Sequence, residues 1–317
     1  MKLVKAHLRS SEWGVLPAFA VAVVGALLIA GGSARGQAPA DNSGGAISLG
    51  GHGWSSFETV PVTSDRGANQ LEFSFRGGFA SDYMYRGTTL SDHKPAVGAA
   101  VEATFAHFYA GVAVASVKLP TQPAAEITIS GGVRQTIGNI DFDLGVSSFL
   151  YPGEISGTPG TDYWQAAIRA DKRITESLRL AGGFAYSPNV SNTGAWSRYA
   201  AGGLGFDVPS RLLPTDIGVS FTGGVGYSWF GNQSPELGGF PLPAYLNWQA
   251  GVTFTRKIIN LDLRYYDTNL SKGNCFVLTG DPTARPGGTV DPVTNPEGLA
   301  SRWCSATFVA KVSFALN

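Results

Sequence analysis

Strict alternation of apolar and polar side chains constrains this chain more than any other feature. In the run 71–76 (LEFSFR), leucine and phenylalanine alternate with polar residues, and the runs 140–146 (IDFDLGV) and 259–265 (INLDLRY) repeat the pattern. Successive side chains of a β-strand point to opposite faces of the sheet. A period of two therefore predicts strands with one apolar and one polar face.

About twelve such runs follow residue 70, each near the length that a tilted strand needs to cross a bilayer. Only 15% of the residues are charged, whereas a soluble domain usually has about 25%. We therefore expect an all-β fold: a transmembrane, antiparallel, up-and-down β-barrel of about twelve strands. The predicted strands are 70–86, 95–106, 108–118, 125–136, 139–151, 161–173, 176–188, 196–207, 217–230, 245–256, 259–270 and 302–315.

The connections between these strands favour a barrel over a soluble β-sandwich. Those at 137–139 and 257–258 are tight, whereas 231–244 and 271–301 are long and rich in Gly and Pro. Short turns on one rim and long loops on the other are typical of outer-membrane barrels. The tryptophans of the barrel region fall toward the long-loop ends, as expected for a membrane interface. These tryptophans are Trp164, Trp196, Trp229, Trp248 and Trp303.

The N-terminus has the pattern of an export signal. Lys2, Lys5 and Arg9 precede the apolar run 18–30, and small residues follow it. This run is shorter than the roughly 20 residues of a spanning helix, so a cleaved signal is favoured over an uncleaved anchor. The predicted division is a signal peptide at 1–36, a flexible periplasmic segment at 37–69 and an outer-membrane barrel at 70–317.

The two cysteines, Cys275 and Cys304, lie on either side of the longest predicted loop. In an exported protein an even pair indicates a disulfide. A metal site is disfavoured because no histidine or third cysteine stands nearby. We expect the bond to hold the long loop near the barrel mouth.

Charged residues of both signs fall on the predicted interior face of the strands. They can line a narrow aqueous pore and tune its preference for solutes. Alternatively, they can form a salt-bridged network that fills the interior and holds the barrel shape. The predicted pore-lining residues are Glu72, Arg76, Glu102, Glu126, Arg134, Asp141, Asp143, Arg169, Asp171, Asp262, Arg264 and Lys311, with Arg179 beside them.

The first outward loop carries Arg86, Asp92 and Lys94. A contact with substrate is one interpretation of these charges. We favour a solvated loop held by turn hydrogen bonds, because short polar turns usually serve geometry.

Several segments of the chain carry a family resemblance. The segments 83–92 (YMYRGTTLSD), 94–97 (KPAV), 108–112 (FYAGV) and 263–268 (LRYYDT) are the most informative. They resemble the TorF-type porin family (Gcw_chp) of Gram-negative outer membranes, over essentially everything from residue 70 to the end. The resemblance implies an outer-membrane barrel with a pore role. The chain departs from the pattern in an enlarged loop at 279–297 and in ending on Asn317 rather than on an aromatic residue.

The sequence therefore predicts a porin-like channel for passive diffusion of small hydrophilic solutes or ions. A lipid-modifying enzyme is the main alternative, but the barrel region has only His93 and His107, at opposite rims, and lacks a nucleophile motif. We expect no catalytic residue, cofactor or metal. A plugged barrel acting as an adhesin or structural protein is a further alternative.

The partners follow from the same prediction. We expect contacts with membrane lipid, with small hydrophilic solutes and, during insertion, with the barrel assembly machinery. A net charge of +0 gives no support for a nucleic-acid partner. The sequence leaves the oligomeric state open.

Overall fold

The computed structural model describes residues 70–156, 160–213 and 216–316. The predicted signal peptide (1–36) and periplasmic segment (37–69) lie outside this part of the chain. Within the described residues, no helix is long and apolar enough to cross a membrane.

Twelve antiparallel strands close into a barrel. Each strand pairs with its neighbours along the chain, and the first pairs with the last to close the sheet. The barrel strands are β1 (Leu71–Ala80), β4 (Ala96–Phe105), β5 (Phe108–Ala115), β6 (Glu126–Ile137), β7 (Ile140–Leu150), β8 (Tyr163–Arg173), β9 (Leu178–Ser187), β10 (Ser197–Asp207), β11 (Gly218–Phe230), β12 (Tyr245–Arg256), β13 (Ile259–Thr268) and β16 (Thr307–Leu316). The remaining strand numbers belong to two short hairpins in the connections: β2 (Met84–Tyr85) with β3 (Thr88–Thr89), and β14 (Arg285–Pro286) with β15 (Leu299–Ala300).

The predicted fold class and strand number are confirmed, and most strand bounds agree closely with the alternation. Two bounds differ. Strand β1 ends at Ala80 rather than at residue 86, because residues 82–91 turn into the barrel instead of continuing the ladder. Strand β16 begins at Thr307 rather than at residue 302, because residues 301–306 belong to the disulfide-bonded loop before it.

The outward face of the barrel is apolar. Leu71, Phe79, Leu144, Phe221 and Phe308 are among many large apolar side chains that are exposed on it. Exposure of so much apolar surface to water would be unfavourable by about 25 cal/mol for each Å². A lipid environment removes that cost, so the barrel is built to span a membrane.

The tryptophans divide into two groups. Trp164 and Trp229 are exposed at the ends of their strands next to long connections, as a membrane-interface position requires. Trp303 differs, because it is buried beside the disulfide and its indole N–H donates to Asp92. The prediction that all five tryptophans mark the interface is therefore wrong for Trp303.

The connection after β1 folds inward, and we call its residues 82–91 the inward hairpin. Its two short strands, β2 and β3, meet at Arg86 and Gly87, which both have positive φ angles (49° and 79°). A Cβ at Gly87 would lie 2.5 Å from the Cγ2 of Thr268 on β13. Glycine is therefore required at this tip, both for its backbone conformation and for its close approach to the barrel wall.

The connection between β13 and β16, residues 269–306, is the cap loop. It contains helix α1 (Lys272–Thr279) and the β14–β15 hairpin. The predicted disulfide between Cys275 and Cys304 is present and joins α1 to the residues before β16. Trp303 and Leu119 pack against this disulfide. The backbone N–H of Thr89 donates to the carbonyl of Trp303 at 2.9 Å, so the cap loop contacts the inward hairpin directly.

Candidate functional site

Charged side chains project from the interior face of most strands, because that face carries the polar half of each alternating run. Five predicted residues, Arg76, Asp141, Asp143, Asp171 and Lys311, are half-buried there, and Glu72 is exposed. Six others are buried in the barrel: Glu102, Glu126, Arg134, Arg169, Asp262 and Arg264.

The largest cluster centres on Arg134 of β6. Its Nη1 and Nη2 donate to the two carboxylate oxygens of Glu102 on β4 at 2.6 and 3.0 Å, and its Nε donates to Asp143 on β7 at 3.0 Å. Arg76 of β1 adds a second guanidinium 3.9 Å from Glu102. This bidentate arrangement holds the guanidinium more rigidly than a single contact would.

Tyr109 of β5 supports the same cluster. The Cζ of Arg134 lies 3.8 Å from the centre of its ring, and its hydroxyl donates to Asp143 at 2.8 Å. The ring lies over Gly145, where a Cβ would overlap the phenol oxygen. Glycine on the interior face therefore makes room for the aromatic ring that orients the ion pairs.

Further ion pairs continue around the wall. Arg169 lies 3.4 Å from Asp171 on β8, and Arg179 of β9 lies 3.4 Å from Asp207 of β10. Asp207 was not among the predicted residues, although it is the last residue of β10 and lies on the interior face of that strand. We call the whole group the charged belt. Its members are Arg76, Glu102, Arg134, Asp143, Arg169, Asp171, Arg179, Asp207, Asp262, Arg264 and Lys311.

On the β13 side, the belt is built around Asp262. Its carboxylate accepts two hydrogen bonds from Arg264, at 3.0 and 2.7 Å, and one from Thr253 at 2.7 Å. Arg264 also donates to Thr222 of β11 at 2.9 Å. Residues from three neighbouring strands therefore fix this pair.

Glu126 has different surroundings from the belt. Its carboxylate accepts hydrogen bonds from the hydroxyls of Tyr83 at 2.8 Å and Tyr151 at 3.0 Å. Tyr83 belongs to the inward hairpin, and burial raises its pKa well above the usual value, so the phenol keeps its proton. Glu126 therefore anchors the hairpin to the wall at β6.

The structure differs most from the expectation for the first loop in the position of Arg86. Rather than lying in a solvated turn, its side chain is buried, with 6% of its surface exposed. The Cζ lies 4.7 Å from the ring centre of Tyr85 and 4.0 Å from that of Tyr199 on β10. Nη2 donates to Gln165 on β8 at 2.6 Å, and the hydroxyl of Tyr245 on β12 donates to the carbonyl of Arg86.

The inward hairpin thus crosses the interior from β1 to the opposite wall. Contacts of Arg86 with β8, β10 and β12 place its tip among strands that are distant from β1 in the closed sheet. No local pattern marks this direction, because a polar loop that folds inward has the same composition as one that folds outward. Lys94, in contrast, is exposed and pairs with Asp92, as a solvated loop predicts.

Among the described residues, neither His93 nor His107 forms a nucleophile–base pair. The Nδ1 of His93 contacts Asp82, and its Nε2 contacts the carbonyl of Arg302. The hydroxyl of Ser91 contacts Asp82 and the carbonyl of Lys94 rather than the imidazole. His107 lies in the turn between β4 and β5. Among residues 70–156, 160–213 and 216–316, no group of three or more His, Cys, Asp or Glu could hold a metal ion.

A closed antiparallel sheet that is apolar outside and charged inside defines a twelve-stranded transmembrane β-barrel. The chain belongs to the bacterial Gcw_chp family, described as proteins of unknown function, whose sequence profile matches residues 64–284. The family resemblance drawn from the first-loop motif is thereby confirmed. No protein with a curated description matches the chain.

Among solved structures, the chain is similar to the KdgM porin, with a TM-score of 0.42 and 7% identity over 78% of this chain and 100% of that chain. It is also similar to OmpT, an outer membrane protein of Vibrio cholerae (TM-score 0.34, 8% identity, 80% and 99% covered). A third is OccD3 (OpdP) of Pseudomonas aeruginosa (TM-score 0.32, 11% identity, 71% and 62% covered). These similarities are distant, so the function is argued from this chain's own side chains.

Proposed function

We propose that the protein is an outer-membrane, porin-like channel through which small hydrophilic solutes or ions diffuse passively. The charged belt is the observation that carries this proposal. An apolar packed core would carry no such charges, whereas a water-filled channel is lined by polar groups. Here β1, β4, β6–β10, β13 and β16 contribute charged groups to the interior.

The inward hairpin would form the constriction of this channel. It crosses the barrel from β1 to β8, β10 and β12, and its residues Tyr83, Arg86 and Thr89 are buried. A narrow passage lined by a hairpin and by the belt predicts a small conductance. It also predicts exclusion of solutes larger than a few heavy atoms across.

The belt would give weak rather than strong ion selectivity. Its basic and acidic groups adjoin in pairs, as in Arg134 with Glu102 and Arg264 with Asp262. Adjacent opposite charges largely cancel each other's field along the axis of a pore. A belt group that is more exposed, such as Arg76, whose side chain is 19% exposed against 10% for Arg134, would therefore influence selectivity more.

A second candidate function rests on the same hairpin. The inward hairpin is buried, and a backbone hydrogen bond between Thr89 and Trp303 joins it to the cap loop. A barrel closed by its own loops would have the same features. Such a barrel would act as a structural protein or an adhesin. The two candidates differ in one measurable property, which is whether the interior conducts ions.

The experiment is single-channel recording of the protein purified from outer membranes, in a planar bilayer with a salt gradient. Reproducible stepwise openings support the channel, and the reversal potential reports its ion preference. Arg76→Glu should shift that potential toward cations. Arg256→Glu, at an exposed turn, is the matched control and should leave it unchanged. Insertion without any openings would reject the channel in favour of the closed barrel.

A further inference from the structure

We propose that Arg86 is the centre of a binding site for a small carboxylate at the constriction. This inference rests on the proposed function only in that the solute must reach the barrel interior. The side chains of the site come from the inward hairpin and from β8, β10 and β12. They are Arg86, Tyr85, Gln165, Tyr199, Tyr245 and Asn247.

The first argument is the missing counter-charge. The other arginines buried among the described residues each pair with a carboxylate: Arg134 with Glu102, Arg169 with Asp171, and Arg264 with Asp262. In the same part of the chain, Arg86 has no carboxylate within ion-pair distance. A buried cation is costly unless an anion compensates it.

The surrounding tyrosines do not provide that anion. Burial raises the pKa of Tyr85 to about 12, and the charge of Arg86 opposes this shift without reversing it. Tyr85 is therefore neutral at physiological pH. Gln165, which accepts from Nη2, is also neutral. The guanidinium of Arg86 thus has a neutral hydrogen-bond acceptor and two aromatic rings beside it, but no negative charge.

One edge of the guanidinium carries a donor without a hydrogen-bond partner among the described residues. The rings of Tyr85 and Tyr199 lie against the guanidinium group, and Gln165 takes one proton of Nη2. The Nε is buried without a hydrogen-bond partner among the described residues. A carboxylate can bind side-on, with one oxygen on Nε and the other on the second proton of Nη2.

A second unsatisfied group narrows the ligand. The Oδ1 of Asn247 is buried without a partner in the described part of the chain, and its Nδ2 donates to the hydroxyl of Tyr199 at 3.4 Å. Tyr199 thus contacts both Arg86 and Asn247. An acceptor without a donor is satisfied by a ligand hydroxyl. A small hydroxycarboxylate carries both an acceptor for Arg86 and a donor for Asn247.

The test compares L-lactate with neutral lactamide, which has nearly the same shape. Saturation-transfer NMR on the detergent-solubilised protein should show saturable binding of lactate and at least tenfold weaker binding of lactamide. Propionate, which lacks the hydroxyl, should bind more weakly than lactate. Equal binding of lactate and lactamide would overturn the proposal, because the charge would then have no role.

The decisive variant is Gln165→Glu. It keeps the shape of the side chain and places a carboxylate where the amide oxygen contacts Nη2, so Arg86 gains an internal counter-ion. Lactate binding should fall at least tenfold while heat-modifiable gel migration stays as in the wild type. Gln135→Glu, the same change at an exposed position near the end of β6, is the matched control and should retain binding. Unchanged binding in Gln165→Glu would overturn the proposal.

These readouts separate the site from the channel. Binding of lactate by a protein that gives no openings would support the site and reject the channel. Openings without charge-dependent binding would support the channel and reject the site. Arg86→Gln is a second variant. It removes the guanidinium that binds the carboxylate and stacks on the tyrosine rings, so lactate binding should be lost.

Discussion

The imidazole Nδ1 of His93 lies 2.7 Å from the Oδ2 of Asp82, inside a loop where Asp82 is buried and His93 is partly exposed. The Nε2 of the same ring lies 3.0 Å from the carbonyl of Arg302 in the cap loop. Both neighbours are hydrogen-bond acceptors, so only the protonated imidazole donates to both. His93 therefore links the connection after β1 to the cap loop in a way that depends on its charge.

This link predicts a pH dependence of the cap loop. The hydrogen bond that the imidazole donates to Asp82 raises the pKa of His93 above its usual value of 6.5, although partial burial opposes the shift. A raised folded-state pKa contributes stability that is fully present below the unfolded value and is lost as the pH rises through the folded value. We expect the hydrogen-exchange protection factors of residues 299–306, which are corrected for the intrinsic pH dependence of exchange, to be larger at pH 5.5 than at pH 8.5. In His93→Gln this difference should disappear; a difference that persists would contradict the assignment.

The disulfide should stabilise the cap loop rather than the barrel. Cys275 and Cys304 close a loop with a sequence separation of 29 residues, for which the chain-entropy model gives about 3 to 4 kcal/mol. In Cys275→Ser/Cys304→Ser, trypsin should cleave after Lys272 or Arg302 faster than in the wild type. Heat-modifiable migration should stay unchanged, because the closed sheet does not depend on this bond. Loss of the folded band would show that the disulfide is required by the barrel itself.

Removal of the central guanidinium of the belt should be costly. Arg134→Gln leaves Glu102 buried without its bidentate partner, and breaking a buried pair in this way typically costs about 3–5 kcal/mol. Arg256→Gln breaks the exposed pair with Asp216 and should cost about 0–1 kcal/mol. Urea unfolding in detergent or lipid vesicles measures both. If the free energy of unfolding fell by similar amounts in the two variants, the interior would be as well solvated as the rim.

Glycines on the interior face should differ according to what lies over them. A Cβ at Gly226 would overlap the hydroxyl of Tyr199, whereas at Gly218, on the same face of β11, the nearest heavy atom would be the Cβ of Thr255 at 3.6 Å. We expect Gly226→Ala to lower the free energy of unfolding by about 1–3 kcal/mol, as overpacking does. Gly218→Ala is the matched control and should be within about 0.5 kcal/mol of the wild type. Gly226→Ala should also weaken lactate binding, because it displaces the ring that contacts Arg86.

Most of the barrel could be predicted from local patterns. The alternation in runs such as 140–146 determines which side chains face inward, because a strand has a period of two wherever it lies. The number of runs determined the strand number, and the spacing and compartment of the cysteines were enough to predict the disulfide. The interior position of Arg134 and Asp262 follows from the same alternation.

The contacts of those residues were decided only by the tertiary structure. Arg134 reaches Glu102 across β5, and Arg86 reaches Gln165 and Tyr199 on the far wall, so each partnership depends on which strands the closed sheet brings together. The inward direction of the hairpin depends on the same closure. A polar loop is stable inside a barrel only where distant strands supply its hydrogen bonds, and no local stretch of sequence contains that information.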